Sequence, residues 1–292
     1  MKDAFSVLIS EEITNKDIIS FLDGIEVVQI AFKKKGWIAG GFPREIHHFQ
    51  TMLKSDKYNK EDFEQYFDDY FDRGGDIDIF FKDKDTVDQV EKDIPVNHPI
   101  YSGNHTFALS VDHFRQKRMF DIIRIQLVNK FFHKSVEDTF RSFDFYNSCY
   151  AIQKIGKTYF LSWQPDAPIL DQQKILRINH TQSPYTIQRI VKYIKRKRLD
   201  KIDDHSLHQL TDLIYRLAVG SFESKYRFNQ LEDRIYSHLK FVFEKCGADP
   251  TDAILFLGKW KTEVEDETGP KYARTLTVDW ATKVLQECVS DS

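Results

Sequence analysis

Residues 37–45, WIAGGFPRE, and residues 74–81, GGDIDIFF, are the two stretches that decide the fold of this chain. In the first stretch, a short apolar run ends at two glycines and a helical pattern follows, which predicts a strand, a tight turn and a helix. In the second stretch, aspartates alternate with isoleucines, which predicts a strand. Each stretch therefore places a strand directly beside a glycine pair.

Asp76 and Asp78 are the most informative residues of the second stretch. Residues two apart on a strand point to the same face, so the two carboxylates lie close together and repel each other. A divalent cation removes that conflict, and carboxylate oxygens suit Mg²⁺ or Mn²⁺. The pattern predicts a metal site, and the alternative is an exposed edge strand with solvated aspartates.

Gly40, Gly41 and Arg44 form the candidate phosphate-binding element of the first stretch. Glycines between a strand and a helix let backbone N–H groups approach phosphate oxygens, and the helix N-terminus favours negative charge. Arg44 lies in the first turn of the predicted helix, within reach of a triphosphate. The alternative interpretation of the glycine pair is a plain tight turn.

Asp121 is a third candidate carboxylate, because it interrupts the apolar run of residues 119–124, MFDIIR. Burying an unpaired charge is costly, so such an aspartate is expected to have a cationic partner or a metal. A neighbouring strand would bring it beside the first two aspartates. The alternative is an ion pair with Lys117, Arg118 or Arg124.

The order of these elements resembles the nucleotidyltransferase superfamily of DNA polymerase β, in the form of a small phage-type member. Residues 40–45 resemble the G-G-x-x-R-D element of tRNA CCA-adding enzymes and poly(A) polymerases, and residues 76–79 resemble their metal-binding D-x-D. Residues 141–147, RSFDFYN, are similar to the R-R-D-F-T-x-N-A element of that family. Residues 174–179, KILRIN, resemble its arginine-bearing helix, and residues 46–73 are interpreted as an insertion.

The resemblance implies an activity and a set of site residues. The activity is metal-dependent transfer of a nucleoside monophosphate from an NTP to a hydroxyl acceptor, with release of pyrophosphate. The implied catalytic and metal-binding residues are Asp76, Asp78 and Asp121. The implied nucleotide-binding residues are Gly40, Gly41, Arg44, Arg141, Asp144 and Arg177.

The pattern of secondary-structure signals in the sequence changes near residue 165. Mixed strand and helix patterns precede this point, and helical patterns follow it, beginning with one over about residues 169–178. This order predicts an α+β fold, in which a mixed-sheet catalytic head with flanking helices (residues 1–165) precedes an all-helical domain (residues 166–292).

A basic run in the helical half predicts the acceptor. It consists of Arg189, Lys192, Lys195, Arg196 and Arg198. Such a run favours an RNA acceptor, for which a tRNA 3′ end is one candidate, although cations near a helix C-terminus also stabilise the helix itself. Two other functions stay open: a toxin-like transferase that modifies a protein or small molecule, and a catalytically degenerate nucleotide- or RNA-binding module.

Composition excludes several classes of protein. The 292 residues carry a formal net charge of -3, which argues against a protein that coats nucleic acid with its whole surface. The three cysteines are widely spaced and form no C-x-x-C pair, so neither a zinc ribbon nor a disulfide framework is expected. The N-terminal apolar runs are too short for a signal peptide or membrane span, which predicts a cytoplasmic protein. The sequence does not indicate its oligomeric state.

Overall fold

The computed structural model describes residues 7–54, 62–95, 100–101, 106–109 and 123–179, with single residues and short runs between positions 189 and 209. The chain divides into two compact units. The first unit comprises residues 1–143 and 148–167, and the second comprises residues 144–147 and 168–292.

The described residues form seven α-helices and ten strands. The helices are α1 (Lys16–Gly24), α2 (Glu26–Lys33), α3 (Gly41–Leu53), α4 (Asp62–Asp72), α5 (Lys84–Asp93), α6 (Val136–Ser142) and α7 (Asp166–Gln172). The strands are β1 (Ile9–Glu12), β2 (Trp37–Ala39), β3 (Ile77–Phe80), β4 (Ile100–Tyr101), β5 (Thr106–Leu109), β6 (Ile123–Leu127), β7 (Tyr150–Ile155), β8 (Thr158–Trp163), β9 (Ile175–Leu176) and β10 (Lys201–Ile202).

The first unit is built on one mixed sheet with the strand order β1-β8-β7-β2-β3-β6-β5-β4. The pair β3–β6 is parallel and the other pairs are antiparallel. Strand β2 lies in the interior of the sheet, where Ile38 is opposite both Ile79 and Ile152, and all its residues are buried. The predicted α+β class is confirmed, and the sheet fixes both ends of β2.

The N-terminal region differs from its predicted form in two respects. Residues 13–35 carry one continuous helical pattern in the sequence, but they form two helices, because buried Ile25 takes an extended conformation (φ -99, ψ 101) between α1 and α2. Asn15 caps α1 by accepting hydrogen bonds from the N–H groups of Asp17 and Ile18. Strand β1 was not predicted, because its four residues are all exposed and show no apolar alternation.

An aromatic cluster fills the core between three helices. Phe21 of α1 lies 5.8 Å from Phe42 of α3 and 6.0 Å from Phe67 of α4, measured between ring centroids. Phe42 and Phe67 are themselves 5.8 Å apart. These separations are typical of favourable aromatic pairs. The aromatic side chains of α4 recur every three or four residues, so one face of this helix enters the core.

The second unit contains a parallel pairing of β9 with β10. The helix predicted over about residues 169–178 ends instead at Gln172, and Lys174 adopts a left-handed conformation (φ 56) before β9 begins. Positions 189, 190, 193, 206 and 209 are helical. The predicted helices after residue 209 lie outside the described residues.

Membrane-spanning helices are absent from the described part of the chain. The longest helix there, α3, has 13 residues, whereas a bilayer span needs about 20 apolar residues.

We expect Phe67→Ala to lower the free energy of unfolding by about 3–5 kcal/mol, because it opens a cavity at the centre of the aromatic cluster. Phe131→Ala is the matched control: the Phe131 side chain is 59% exposed, so its loss should cost less than about 0.5 kcal/mol. Urea denaturation followed by circular dichroism measures both, and equal costs would contradict the packing described here.

Candidate active site

The glycine turn after β2 depends on a conformation that only glycine adopts readily. Gly40 has φ 100 and ψ -131, and its N–H donates a hydrogen bond of 2.9 Å to the carbonyl oxygen of Tyr150 in β7. Helix α3 begins at Gly41, so the turn directs the N-terminus of α3 toward the end of β2. N–H groups in a first helical turn have no intrahelical acceptor and suit an anion.

Asp78 of β3 and Asp76, which immediately precedes β3, lie beside this turn. Ile77 and Ile79 are fully buried on one face of the strand, whereas Asp76 and Asp78 alternate with them and are half-buried. A Cβ atom placed on Gly40 would lie 4.0 Å from Oδ2 of Asp78. The structure therefore brings the predicted phosphate-binding turn and the predicted metal-binding pair to the same edge of the sheet.

Tyr70 of α4 holds the loop that carries Asp76. Its hydroxyl donates a hydrogen bond of 2.8 Å to the backbone carbonyl oxygen of Asp76. A Cβ atom on Gly75 would lie 2.4 Å from the Tyr70 ring, and one on Gly41 would lie 3.2 Å from its hydroxyl. The absence of side chains at both glycines thus makes room for the tyrosine.

The negative charge around the Tyr70 hydroxyl, between the end of β2 and the start of β3, favours a bound cation. Burial raises the pKa of Tyr70 well above its ordinary value, and the negative charges of Asp76, Glu45 and Asp78 raise it further. The hydroxyl therefore stays protonated and remains a hydrogen-bond donor. Negative charge concentrated around a buried neutral phenol is the environment that a bound divalent cation would stabilise.

Arg44 and Glu45 form a buried pair in the first turn of α3. The Arg44 side chain is 3% exposed, and its Nη1 lies 3.3 Å from Oε1 of Glu45. The other carboxylate oxygen of Glu45 accepts a 2.8 Å hydrogen bond from the Tyr66 hydroxyl. Burial, followed by the charge of Glu45, raises the pKa of Tyr66, so this hydroxyl also remains a donor. Arg44 is thus oriented toward a carboxylate of its own helix.

A complete metal site is not present among the described residues, since they contain no group of three histidine, cysteine, aspartate or glutamate side chains placed to hold an ion. Asp121, the third predicted ligand, lies outside the described residues. Strand β6 begins two positions after it and pairs in parallel with β3, with Asp78 opposite Gln126. Asp76 and Asp78 supply the hard oxygen donors that Mg²⁺ prefers, so the described residues fit the implied ion in part.

The other predicted nucleotide-binding residues are engaged in ion pairs. In the first unit, Nη1 of Arg141 lies 2.8 Å from Asp138 in the same helix. In the second unit, Nε of Arg177 lies 2.5 Å from Oδ2 of Asp203. Burial raises the pKa of that aspartate, but hydrogen bonds from Ser206 and Arg177 outweigh it and lower the pKa overall.

Asp144 and Arg189, predicted for different roles, form an ion pair within the second unit. The Asp144 carboxylate is buried, whereas the Arg189 side chain is 56% exposed. The remaining members of the predicted basic run, Lys192, Lys195, Arg196 and Arg198, lie outside the described residues.

Tyr70 is the site residue that sequence reasoning missed. The spacing of the aromatic residues around Tyr70 indicates only the packed face of a helix. That accounts for the buried ring of Tyr70 but not for the hydrogen bond of its hydroxyl. The available signal was its position four residues before Gly74-Gly75-Asp76, where two glycines next to an aromatic side chain indicate close approach.

The fold and site define an α+β protein with paired carboxylates beside a glycine turn. Residues 12–162, just over half of the chain, match the Gabija anti-defense 2 family. The chain belongs to the Gabija anti-defense 2 family. Among curated proteins, none matches it.

Three solved structures illustrate the resemblance in fold. A tRNA-processing enzyme in an apo form is 17% identical, with a TM-score of 0.45, over 96% of this chain and 76% of that chain. A Thermotoga maritima CCA-adding enzyme complexed with tRNA is 14% identical, with a TM-score of 0.44, over 96% and 69%. A CCA-adding enzyme with ATP is 15% identical, with a TM-score of 0.45, over 97% and 69%.

We expect Gly75→Ala to lower the free energy of unfolding by about 1–3 kcal/mol, because its Cβ atom would overlap the Tyr70 ring. In a Tyr70→Ala background the same substitution should cost much less, because the ring is absent. Urea denaturation of the wild type, both single variants and the double variant measures this coupling. Additive costs would show that the contact does not position the loop.

Proposed function

We propose that this protein is a metal-dependent nucleotidyltransferase that moves a nucleoside monophosphate from an NTP to a hydroxyl acceptor. The observation that carries the proposal is the position of Gly40 beside the Asp78 carboxylate. A phosphate-binding turn and a pair of metal-binding carboxylates are needed at one place for this reaction, and they meet at one sheet edge.

Asp76 and Asp78, with Asp121, would hold Mg²⁺ or Mn²⁺ in this reaction. The bound ions supply charge stabilisation at the attacking and leaving oxygens of phosphoryl transfer. The acceptor hydroxyl oxygen forms a bond to the α-phosphorus, the bond between the α-phosphorus and its bridging oxygen to the β-phosphate breaks, and pyrophosphate leaves. Asp121 would activate the acceptor hydroxyl, either by holding its metal ion or by accepting its proton.

The glycine turn would contact the phosphates through the N-terminus of α3. The N–H of Gly40 is already used by Tyr150, so we assign this contact to Gly41 and Phe42, whose N–H groups lie in the first turn. The Arg44 side chain is 3% exposed and its Nη1 contacts Glu45, which limits its access to a phosphate. We therefore assign Arg44 mainly to positioning the first turn of α3.

Three further residues are proposed for contacts to base, ribose or phosphate on the family resemblance alone: Arg141 in the first unit, and Asp144 and Arg177 in the second. Each is held by an ion pair, with Asp138, Arg189 and Asp203 respectively. Such pairs orient the side chains before a ligand arrives, and a bound nucleotide would exchange or share their partners.

The proposed acceptor is RNA, on the strength of the basic run that includes Arg189. A protein acceptor is the second candidate, and membership of the Gabija anti-defense 2 family favours it. Transfer of a nucleotide to a component of the Gabija defence would change that component covalently. With either acceptor, we propose that the reaction takes place in the cytoplasm and counteracts Gabija defence.

We expect Asp76→Asn with Asp78→Asn to leave a folded protein whose transfer activity falls by about 10³-fold or more, because both metal-binding charges are lost. The assay incubates the protein with α-labelled NTPs, Mg²⁺, total RNA and total protein, and follows the label. Asp85→Asn with Asp88→Asn, on α5, is the matched control and should keep full activity.

The same assay separates the proposed acceptors. Label that disappears with ribonuclease supports RNA, and label that resists ribonuclease but not protease supports a protein. No label in either fraction, together with no calorimetric binding of Mg²⁺-NTP, would refute the nucleotidyltransferase proposal and leave a degenerate module.

In cells that carry Gabija defence, we expect the wild-type protein to restore phage plaque formation. The Asp76→Asn, Asp78→Asn variant, at equal protein level, should fail to restore it, whereas the α5 control variant should succeed. Full restoration by the aspartate variant would show that the anti-defence effect needs binding but not catalysis.

A further inference from the structure

A second concave site lies in the first unit, at the opposite end of β2 from the glycine turn. Gly36, which immediately precedes β2, lines it, whereas Gly40 immediately follows β2. Its volume is about 650 Å³, within the usual range for small-molecule sites. Its polar lining consists of Gln29, Lys33, Lys35, Gln153, Lys154 and Lys157. We call this site the lysine pocket.

The lysine pocket carries strong positive charge. Four lysines line it and none of its lining residues is acidic, although the whole chain has a formal net charge of -3. Within the described part of the chain, no carboxylate forms an ion pair with Lys33, Lys35 or Lys157. Three ammonium groups around one concavity repel each other, and an anion between them would relieve that repulsion.

Lys154 is held at the base of the lysine pocket by a hydrogen-bonded network. Its Nζ donates to Oε1 of Gln29 (2.7 Å), to the Tyr159 hydroxyl (2.8 Å) and to Oδ1 of Asp23 (3.0 Å). The Tyr159 hydroxyl donates to the same Asp23 oxygen, and Nε2 of Gln29 donates to the Leu22 carbonyl. Burial lowers the pKa of Lys154, but hydrogen bonds to Tyr159 and Asp23 outweigh it and raise the pKa, so the ammonium stays charged.

The lining also offers apolar contact beside the charges. Ile155 is 63% exposed at the hairpin between β7 and β8, and the edge of Phe32 lines the same concavity. A lining that combines ammonium groups with apolar surface suits a ligand that joins phosphates to a planar organic group. A carboxylate peptide would satisfy the charge, but a concavity of about 650 Å³ is of the size that holds a compact ligand.

We propose that the lysine pocket binds the phosphate groups of a nucleotide-sized ligand. Lys35 and Lys157 contact the phosphates from the two sides, while the fixed ammonium of Lys154 sets the depth of binding. This site stands apart from the proposed catalytic site, because the residues of β2 separate the two. Its test therefore does not depend on transfer activity.

The experiment is calorimetric titration of the full-length chain with tripolyphosphate at low salt. EDTA is present, so that no divalent cation bridges the ligand to Asp76 and Asp78. We expect binding to the wild type and a loss of at least about tenfold in affinity for Lys35→Glu with Lys157→Glu, since one contact of this kind near 4 Å in water contributes about fivefold. The milder Lys35→Gln, Lys157→Gln variant should give an intermediate loss of affinity. It tests the same two contacts if the charge-reversed variant does not fold.

Lys16→Glu with Lys54→Glu is the matched control, because both lysines are exposed and neither lines the pocket. Its affinity should stay within about twofold of the wild type. Equal losses in the control and pocket variants, or no binding to the wild type, would overturn the proposal. A thermal melt of each variant confirms that it is folded.

Two further ligands distinguish the source of the phosphates. Tighter binding of ATP than of tripolyphosphate would identify the ligand as a nucleotide, and equal binding would identify it as an inorganic polyphosphate. Either outcome supports the proposal if the lysine variants lose affinity for the ligand. Binding of a short single-stranded RNA without binding of either small ligand would overturn the proposal in favour of a nucleic-acid track.

Discussion

The contact between the Tyr70 side chain and two glycines organises the candidate active site. The ring lies where a side chain on Gly75 would stand, its hydroxyl lies against Gly41, and the same hydroxyl binds the Asp76 carbonyl. One phenol from α4 therefore joins the start of α3 to the start of β3. The helix that sequence comparison treats as an insertion is thus an integral part of the site.

Charge is segregated along the short central strand. Asp76, Asp78 and Glu45 surround the Tyr70 hydroxyl at the end of β2 that bears the glycine turn. Lysines collect at the other end of β2. The two ends of β2 thus provide opposite local charge, and each suits a different component of phosphate chemistry: a cation at one end and an anion at the other.

The sequence predicts those elements that depend only on residues near each other in the chain. Strands β7 and β8 coincide with two β-type runs in the sequence that are separated by Gly156-Lys157. Such a hairpin can be predicted because its alternation and its turn are both local signals. The break at Ile25 was not predicted, since its buried side chain meets the core only after α1 and α2 have packed. Likewise, β1 forms by pairing with β8, from which it is separated by about half of the chain.

Local sequence specifies the chemistry beside the glycine turn: a glycine pair that permits φ 100 at Gly40, and two aspartates spaced two residues apart at the start of β3. Only the tertiary structure decided the partners of these groups, such as Tyr70 beneath Asp76 and Glu45 beside Arg44. The lysine pocket likewise joins α2 to the distant hairpin of β7 and β8. The physical reason is that backbone conformation and strand facing depend on neighbouring residues, whereas burial and charge pairing depend on side chains that meet only when the sheet closes.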